Sequence, residues 1–244
     1  MLSKSQLKLI NSLKHKKYRS SHKLFIAEGR KSILELIKSG VSLVHLYTTT
    51  LEIVVPDDKR NTITSKEMNK ISAMKTPPDA LALFKIPEPV PIDHSGLIVA
   101  LDAVNDPGNL GTIIRLCDWF GVRDLVCSSD TVDCYNPKVV QATMGSIARV
   151  NITYTSLDSF IKNSGMESYG AVMNGANIYS TDLPSSGILV FGSESHGISE
   201  ELNSKLGKKL TIPRFGDDQQ TESLNVANAV AIFLSEFRRA LTGK

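Results

Sequence analysis

The sequence predicts an α/β protein of two domains, the second of which is built on a mostly parallel sheet. In the second half of the chain, strand-like and helix-like segments alternate, as they do where crossover helices join parallel strands. The first of these strands, GLIVALD at 96–102, is apolar throughout, which is typical of a strand buried on both faces of a sheet. The proline-rich stretch PEPVPIDHSG lies before it, so we place a small domain at 1–88, a linker at 89–96 and a larger domain at 97–244.

The composition is that of an ordinary globular protein, with 41% hydrophobic and 22% charged residues among 244. The chain has no apolar run long enough to predict a membrane span, and its N-terminus lacks the apolar core of a secretory signal. The cysteines, Cys117, Cys127 and Cys134, fit no zinc-binding spacing, and two of them lie in apolar runs. We therefore expect reduced, mostly buried thiols, a cytoplasmic location and, because the histidines do not cluster, no metal.

The small domain is predicted from helical spacing and caps. Apolar residues recur at three- and four-residue intervals in its first two helices, and Gly40 follows the second, as glycine often follows a helix. Thr64 and Glu67 have the spacing of a capping box. The predicted elements are helices at 5–13 and 28–38, a strand at 41–49, a helix that ends at Ile71 and a strand at 80–86.

The larger domain is predicted to alternate between strands and helices. Asn136 and Pro137 are typical of an N-cap followed by proline at the first helical position. A helix from Asn109 to Phe120 has an apolar face that includes Ile113, and the last helix spans 223–240. The predicted strands lie at 96–102, 124–128, 148–154, 168–173, 187–192 and 208–213.

Three polar loops that follow strands are candidate sites, because ligands of open α/β sheets bind beyond the carboxyl ends of the strands. In the first loop, NDPGNLGTIIR at 105–115, Gly108 and Gly111 allow a close approach of the backbone to a ligand. Arg115 follows Gly111 by one helical turn, and we expect both residues opposite the apolar face. A helix start with an ordinary surface arginine explains this segment equally well.

The second loop, GSESHGIS at 192–199, nearly fits the phosphate-binding loop of nucleotide triphosphatases. Ile198 occupies the position of the required lysine, which excludes that site, and the chain has no G-x-G-x-x-G dinucleotide fingerprint. What remains is a carboxylate, Glu194, at the end of a buried strand, and a turn with an exposed Glu is the simpler reading.

The third loop lies within LTIPRFGDDQQTESLNVANA at 210–229. Ser223 is a candidate N-cap for the last helix, and Asn225 and Asn228 are expected to share one face of that helix. Asparagines near a helix start are often simple caps, so this loop alone does not establish a site.

Together and in order, NDPGNLGTIIR, LVFGSESHGIS and LTIP…SLNVANA resemble the three motifs of the SpoU/TrmH family of SPOUT RNA methyltransferases. KLFIAEGRKSI at 23–33 and MKTPPDALALF at 74–84 resemble that family's N-terminal RNA-substrate-binding domain, which has a ribosomal-protein-like α/β fold. The resemblance covers nearly the whole chain. It implies a C-terminal SPOUT domain with a deep trefoil knot, S-adenosyl-L-methionine bound in the knot, a homodimer, and methylation of a ribose 2′-hydroxyl in rRNA or tRNA.

The resemblance also carries the family's site residues onto matching positions. As catalytic residues it implies Arg115, Asn109, Ser223, Asn225 and Glu194. As cofactor-binding residues it implies Gly192, Ser193, Gly197, Ile212, Pro213, Ser223 and Leu224. A non-catalytic RNA-binding relative is the nearest alternative, and it predicts damage to the Arg or to the Ser and Asn, all of which are present.

A basic N-terminal segment is the candidate RNA contact. Residues 1–31 hold nine Lys and Arg and one acid, Glu28, so this segment carries +8, whereas the whole chain carries +3. The predicted RNA-binding residues are Lys14, Lys16, Lys17, Arg19, Lys23 and Arg30. A solvated, lysine-rich helix face explains the charge equally well without the resemblance.

Two further expectations concern the C-terminal region. The loop between Pro213 and Ser223 is longer than is usual in the family, which leaves its cofactor contacts open. The last helix is apolar on more than one stripe, with Ala229, Ile232 and Phe233 on the second, so a second surface should cover that stripe. The resemblance implies that this surface is the partner subunit, and the N-terminal domain or the helix that starts at Asn109 is the alternative.

Overall fold

The computed structural model describes residues 1–216 and 223–242. The chain forms two compact units, which we call the N-terminal unit (Met1–Glu88 with Asp133–Ala148) and the C-terminal unit (Pro89–Val132 with Arg149–Lys244). The chain first passes between them at Glu88 and Pro89, in the proline-rich stretch. The prediction assigned all of 97–244 to the second domain, so it misplaced the segment Asp133–Ala148.

The N-terminal unit contains a four-stranded mixed sheet. Its strands lie in the order β1 (Leu24–Glu28), β4 (Ala80–Lys85), β2 (Leu43–Thr48) and β3 (Arg60–Thr62). Strand β4 is antiparallel to both neighbours, and β2 is parallel to β3. The elements are α1 (Lys4–Ser12), α2 (Lys16–His22), β1 (Leu24–Glu28), α3 (Arg30–Lys38), β2 (Leu43–Thr48), β3 (Arg60–Thr62), α4 (Ser65–Ile71) and β4 (Ala80–Lys85). The Thr64 capping box of α4 is confirmed. The predicted start of a helix at Glu28 is wrong, because Glu28 ends β1 and its buried carboxylate accepts hydrogen bonds from Ser72 and Ala73.

The C-terminal unit contains a six-stranded sheet in the order β10-β8-β9-β5-β6-β7, and its neighbouring strands are parallel, as predicted. The central strands β5 and β9 are buried along their whole length. The elements are β5 (Leu97–Leu101), α5 (Pro107–Trp119), β6 (Asp124–Cys127), β7 (Asn151–Tyr154), α7 (Leu157–Ser164), β8 (Ser168–Asn177), β9 (Gly187–Phe191), α8 (Glu200–Asn203), β10 (Lys208–Thr211) and α9 (Val226–Thr242). Helix α6 (Pro137–Thr143) lies between β6 and β7 in sequence but belongs to the N-terminal unit.

Segment Asp133–Ala148 joins the N-terminal unit because its apolar and charged groups find partners there. Helix α6, which is capped by Asn136 as predicted, buries Val139 and Val140 and packs on β1. The ring of Tyr135 lies 4.9 Å from that of Phe25. The carboxylate of Asp133 pairs with the guanidinium of Arg19, which is 3% exposed.

Candidate active site

A cavity of about 680 Å³ in the C-terminal unit is lined by the middle of β8, by the ends of β9 and β10 with the segments that follow them, and by the first turns of α9. This is the edge at which an open parallel sheet binds ligands. The structure brings all the predicted cofactor-binding residues to its lining, namely Gly192, Ser193, Gly197, Ile212, Pro213, Ser223 and Leu224.

The loop after β9 closes into a tight turn against the cavity. The backbone N–H of Gly197 donates to the carbonyl of Ser193 at 2.8 Å, and the N–H of Ser193 donates back at 3.1 Å. Gly197 has φ +67°, a left-handed conformation that favours glycine. A Cβ on Gly192 would lie 1.9 Å from the carbonyl carbon of Gly197. The two glycines are therefore required for different reasons, Gly192 for space and Gly197 for backbone conformation.

A hydrogen-bond network links the three loops that the sequence singled out. The amide of Asn109 donates to Glu194 Oε1 at 2.9 Å, and the amide of Asn225 donates to the same oxygen at 2.6 Å. The Asn225 amide also donates to Asn109 Oδ1 at 2.9 Å. Because Glu194 accepts from both asparagines, it fixes the position of the first loop relative to the third.

Asn225, rather than Ser223, caps the last helix. Its Oδ1 accepts the backbone N–H groups of Ala227 at 3.0 Å and Asn228 at 3.3 Å, and α9 begins at Val226. The prediction that Ser223 is the N-cap is wrong, since Ser223 lies in extended chain before the helix and lines the cavity. The cap turns the Asn225 amide nitrogen toward Glu194 and Asn109.

Among the described residues, the other predicted catalytic residues line the cavity or belong to the Glu194 network, whereas Arg115 does neither. It is exposed on α5, opposite the buried Ile113 and Ile114, as predicted. Gly111 is buried, so the expectation that it shares the exposed face with Arg115 is wrong. Arg115 is not one of the described residues that line the cavity.

The sequence interpretation missed part of the cavity wall. Ala171, Val172 and Met173 of β8 line it, and so do Phe191 and His196. The position of β8 beside β9 in a parallel sheet is the signal that would have identified the strand residues, because the carboxyl ends of neighbouring strands share one edge. His196 follows Glu194 closely in the second motif, and its Nδ1 lies 2.7 Å from Ser195 Oγ.

The predicted RNA-binding residues of the N-terminal unit have different surroundings. Lys16, Lys17 and Lys23 are exposed. Lys14 donates from Nζ to the carbonyl of Ser72 at 3.2 Å, and Arg30 pairs with Glu52 at the surface. The prediction that Arg19 binds RNA is wrong. Arg19 is buried, pairs with Asp133 and donates to the carbonyl of Leu13, so it is a structural residue rather than a phosphate contact.

Over the part of the chain that the structure describes, no helix is long and apolar enough to cross a membrane. Within the same residues, no three His, Cys, Asp or Glu side chains gather as metal ligands. The cysteines Cys117, Cys127 and Cys134 are buried thiols that form no disulfide, as predicted, and burial raises the pKa of Cys117 to about 12.

Comparisons with known proteins identify the family of the chain. Residues 96–235 match the model of the SpoU rRNA methylase family, and residues 4–82 match that of the MRM3-like substrate binding domain. The chain is 31% identical over 232 residues to the 23S rRNA (guanosine(2553)-2′-O)-methyltransferase RlmP of Bacillus subtilis, which covers 91% of this chain and 92% of the relative.

Solved structures are similar over nearly the whole chain. A Porphyromonas gingivalis protein assigned to the TrmH family superposes with a TM-score of 0.89 at 37% identity, covering 98% of this chain and 99% of that one. The AdoMet-bound rRNA methyltransferase of Sinorhizobium meliloti superposes with a TM-score of 0.86 at 29% identity, covering 99% and 97%.

Proposed function

Because the chain belongs to the SpoU rRNA methylase family, we propose that it transfers a methyl group from S-adenosylmethionine to a ribose 2′-hydroxyl in rRNA or tRNA. The observation that carries the proposal is the network through which Glu194 joins Asn109 and Asn225 beside the cavity. A non-catalytic RNA-binding relative would not need these groups, and Arg115 and Ser223 are present as well.

The cavity fits the proposed methyl donor. Its volume lies within the range of small-molecule sites, and its wall combines apolar side chains such as Val172 and Phe233 with the backbone of the loops after β9 and β10. Main-chain N–H and C=O groups can recognise an adenine ring, and apolar walls exclude water. When bound, S-adenosylmethionine supplies a methyl group already activated by its sulfonium.

The remaining work belongs to the protein: it aligns the ribose oxygen and handles the hydroxyl proton. Asn109 and Asn225, fixed by Glu194, are placed to position the ribose and the loops around it. The hydroxyl proton passes to water as the ribose oxygen takes the methyl group. We assign to Arg115 the stabilisation of the developing alkoxide and of a neighbouring phosphate, because guanidinium groups normally stay protonated in proteins. Removal of the hydroxyl proton by Arg115 itself is the alternative.

Calorimetric titration with S-adenosylhomocysteine, ATP and NAD tests the cofactor assignment. Binding of S-adenosylhomocysteine alone is the expected result, and binding of ATP or NAD instead would contradict the proposal. Mapping of 2′-O-methyl groups in RNA from cells with and without the gene then identifies the substrate. We expect one ribose methylation to disappear.

Removing the Glu194 carboxylate is expected to weaken the site in a graded way. Glu194→Ala leaves the amides of Asn109 and Asn225 without their shared acceptor, and we expect S-adenosylhomocysteine to bind roughly tenfold more weakly. Glu194→Gln retains an acceptor oxygen without its charge, so its affinity should fall between those of Glu194→Ala and the wild type. Equal affinities of all three proteins in calorimetry would show that the network does not support the cavity.

A homodimer is proposed because of the exposed face of α5. Trp119 is 84% exposed and lies one helical turn beyond Arg115, which is outside the described lining of its own cavity. A second copy packed on this face would cover Trp119 and offer Arg115 to the partner's cavity. The argument from α9 is weaker than the sequence suggested, since Phe233 is buried against Phe191 within the chain, whereas Ile232 is half-exposed.

The dimer gives a prediction for Trp119→Glu. A charge in the centre of an apolar two-fold contact should shift the mass in sedimentation equilibrium from twice 26.6 kDa toward 26.6 kDa at micromolar concentration. Val90→Glu is the matched control, because Val90 is also exposed, at 61%, and should leave the mass unchanged. A wild-type mass near 26.6 kDa would refute the dimer.

The N-terminal unit is proposed to bind RNA through its exposed lysines. We expect Lys16→Ala, Lys17→Ala and Lys23→Ala together to weaken binding of total rRNA and to reduce the slope of log affinity against log salt by roughly two to three. Lys59→Ala with Lys66→Ala serves as a control for charge removed elsewhere in the unit. Unchanged affinity and salt slope would indicate a solvated face only.

We propose two finer features of the fold, a trefoil knot in the C-terminal unit and a ribosomal-protein-like fold for the N-terminal unit. The knot is supported by the loops after β9 and β10, which meet the start of α9 around one cavity. The mixed sheet with flanking helices supports the second proposal. A cytoplasmic location remains a prediction from the reduced cysteines.

A further inference from the structure

Two aromatic side chains lie exposed beside the cavity, outside its described lining. Phe215 is 82% exposed and Tyr179 is 41% exposed. Their ring centroids lie 6.3 Å apart, with 36° between the ring planes. The chain neighbours of Phe215, Arg214 and Gly216, both line the cavity. The aromatic pair therefore begins where the cavity wall ends.

The rim of the cavity also has exposed apolar side chains. Met173 is 51% exposed and Leu224 is 47% exposed, and both line the cavity. The hydroxyl of Thr211 donates to the carbonyl of Met173 at 3.0 Å, which connects the end of β10 to β8. Large exposed apolar groups that gather beside a polar site are characteristic of binding surfaces.

Tyr179 is held in place by its own short turn. Its backbone N–H donates to Asn177 Oδ1 at 2.9 Å, and the hydroxyl of Thr181 donates to the carbonyl of Asn177 at 2.7 Å. The preceding Ile178 is buried and anchors the turn in the unit. These bonds order the backbone that carries the ring, so a ligand has only the side-chain torsions left to order, which favours a recognition role.

We propose that Phe215 and Tyr179 form a stacking platform for an RNA nucleobase next to the ribose that is methylated, an inference that rests on the proposed function. Unpaired bases of RNA are commonly recognised by stacking on aromatic side chains, because every base offers a π face. Arg214, which precedes Phe215 and lines the cavity, adds a cationic residue that suits the phosphate backbone. The cofactor's adenine is the poorer occupant, since neither ring belongs to the described cavity lining.

The test uses a short single-stranded RNA that carries one 2-aminopurine, whose fluorescence is quenched by stacking. Wild-type protein should quench the probe on binding. Phe215→Ala and Tyr179→Ala should each bind it about tenfold more weakly and with less quenching, whereas Phe215→Tyr should retain both. S-adenosylhomocysteine affinity should stay within a few fold in each variant. Val90→Ala, which trims an exposed apolar residue elsewhere in the unit, should change neither.

Other outcomes would overturn the platform. If Phe215→Ala lost S-adenosylhomocysteine affinity but not RNA affinity, the ring would cover the cofactor. If it lowered only the mass in sedimentation, the ring would be a contact between copies. Equal binding and quenching by the wild type and Phe215→Ala, or a wild type that does not bind the probe, would refute the platform outright. A wild type that binds the RNA but not S-adenosylhomocysteine would refute the proposed function, and the RNA results would still decide the platform.

Discussion

Replacing Arg115 with alanine is expected to lower methyl transfer to RNA by at least about a hundredfold, the usual effect of removing a group that stabilises transition-state charge. Affinity for S-adenosylhomocysteine should stay within a few fold, because Arg115 lies outside the described lining of the cavity in its own chain. Folding should be unaffected, since the side chain is exposed while Ile113 and Ile114 on the opposite face hold α5 in the core. Transfer of labelled methyl to RNA, beside calorimetry with S-adenosylhomocysteine, measures both quantities.

The lysine variant tests whether a positive charge at position 115 is sufficient or whether the guanidinium itself is needed. Arg115→Lys keeps a positive charge but loses the planar guanidinium fork. Partial activity would support stabilisation of charge by Arg115, and loss as complete as in Arg115→Ala would support a role specific to the guanidinium. Wild-type turnover by Arg115→Ala would contradict the assignment of this residue to the active site.

A mixing experiment tests whether Arg115 serves the partner's cavity. In a dimer of that kind, a mixed pair of Arg115→Ala and Gly192→Ala chains would contain one complete site, formed by an intact cavity and the other chain's arginine. Random reassociation should therefore restore up to about a quarter of wild-type activity from two inactive proteins. No recovery on mixing would show that each chain uses its own arginine.

The sequence identified the sheet of the C-terminal unit well, because strands buried on both faces of a parallel sheet are continuous apolar runs. Leu97–Leu101 and Gly187–Phe191 are each within one or two residues of prediction. Local caps were also readable: Thr64 caps α4 and Asn136 caps α6, since their hydrogen bonds lie within a few residues of chain. Such features need no knowledge of the tertiary fold.

Predictions failed where the deciding partner is distant in the chain. Arg19 was counted among the cations available to RNA, but its partner Asp133 lies 114 residues away. The cap of α9 is an exception, since its bonds are local: the motif contains both Ser223 and Asn225, either residue type can cap a helix, and Asn225 is the one that does. The bonds from Asn109 and Asn225 to Glu194 span 85 and 31 residues, so the motifs gave the members of the network without their connections.

Adding one methyl group to the loop after β9 is expected to destroy the cofactor site. In Gly192→Ala the new Cβ would lie 1.9 to 2.1 Å from backbone atoms of Gly197 and Ile198, which cannot rotate away as a side chain would. Overpacking of this kind typically costs about 1–3 kcal/mol even where side chains can yield. The turn must therefore open, and its opening displaces a wall of the cavity. We expect S-adenosylhomocysteine affinity to fall by about a hundredfold or more in calorimetry, with a lower Tm.

Two other glycines separate steric overlap from backbone strain. Gly197→Ala meets no neighbouring atom but must hold φ +67°, which costs about 1–2 kcal/mol in a residue with a Cβ. Gly96→Ala meets open space without that strain, so it should behave as the wild type. Tm and cofactor affinity should be highest in Gly96→Ala, lower in Gly197→Ala and lowest in Gly192→Ala. Wild-type affinity in Gly192→Ala would mean that this turn is not the cofactor's wall, whereas equal losses at Gly192 and Gly197 would mean that the steric overlap at Gly192 disturbs the site no more than backbone strain at Gly197 does.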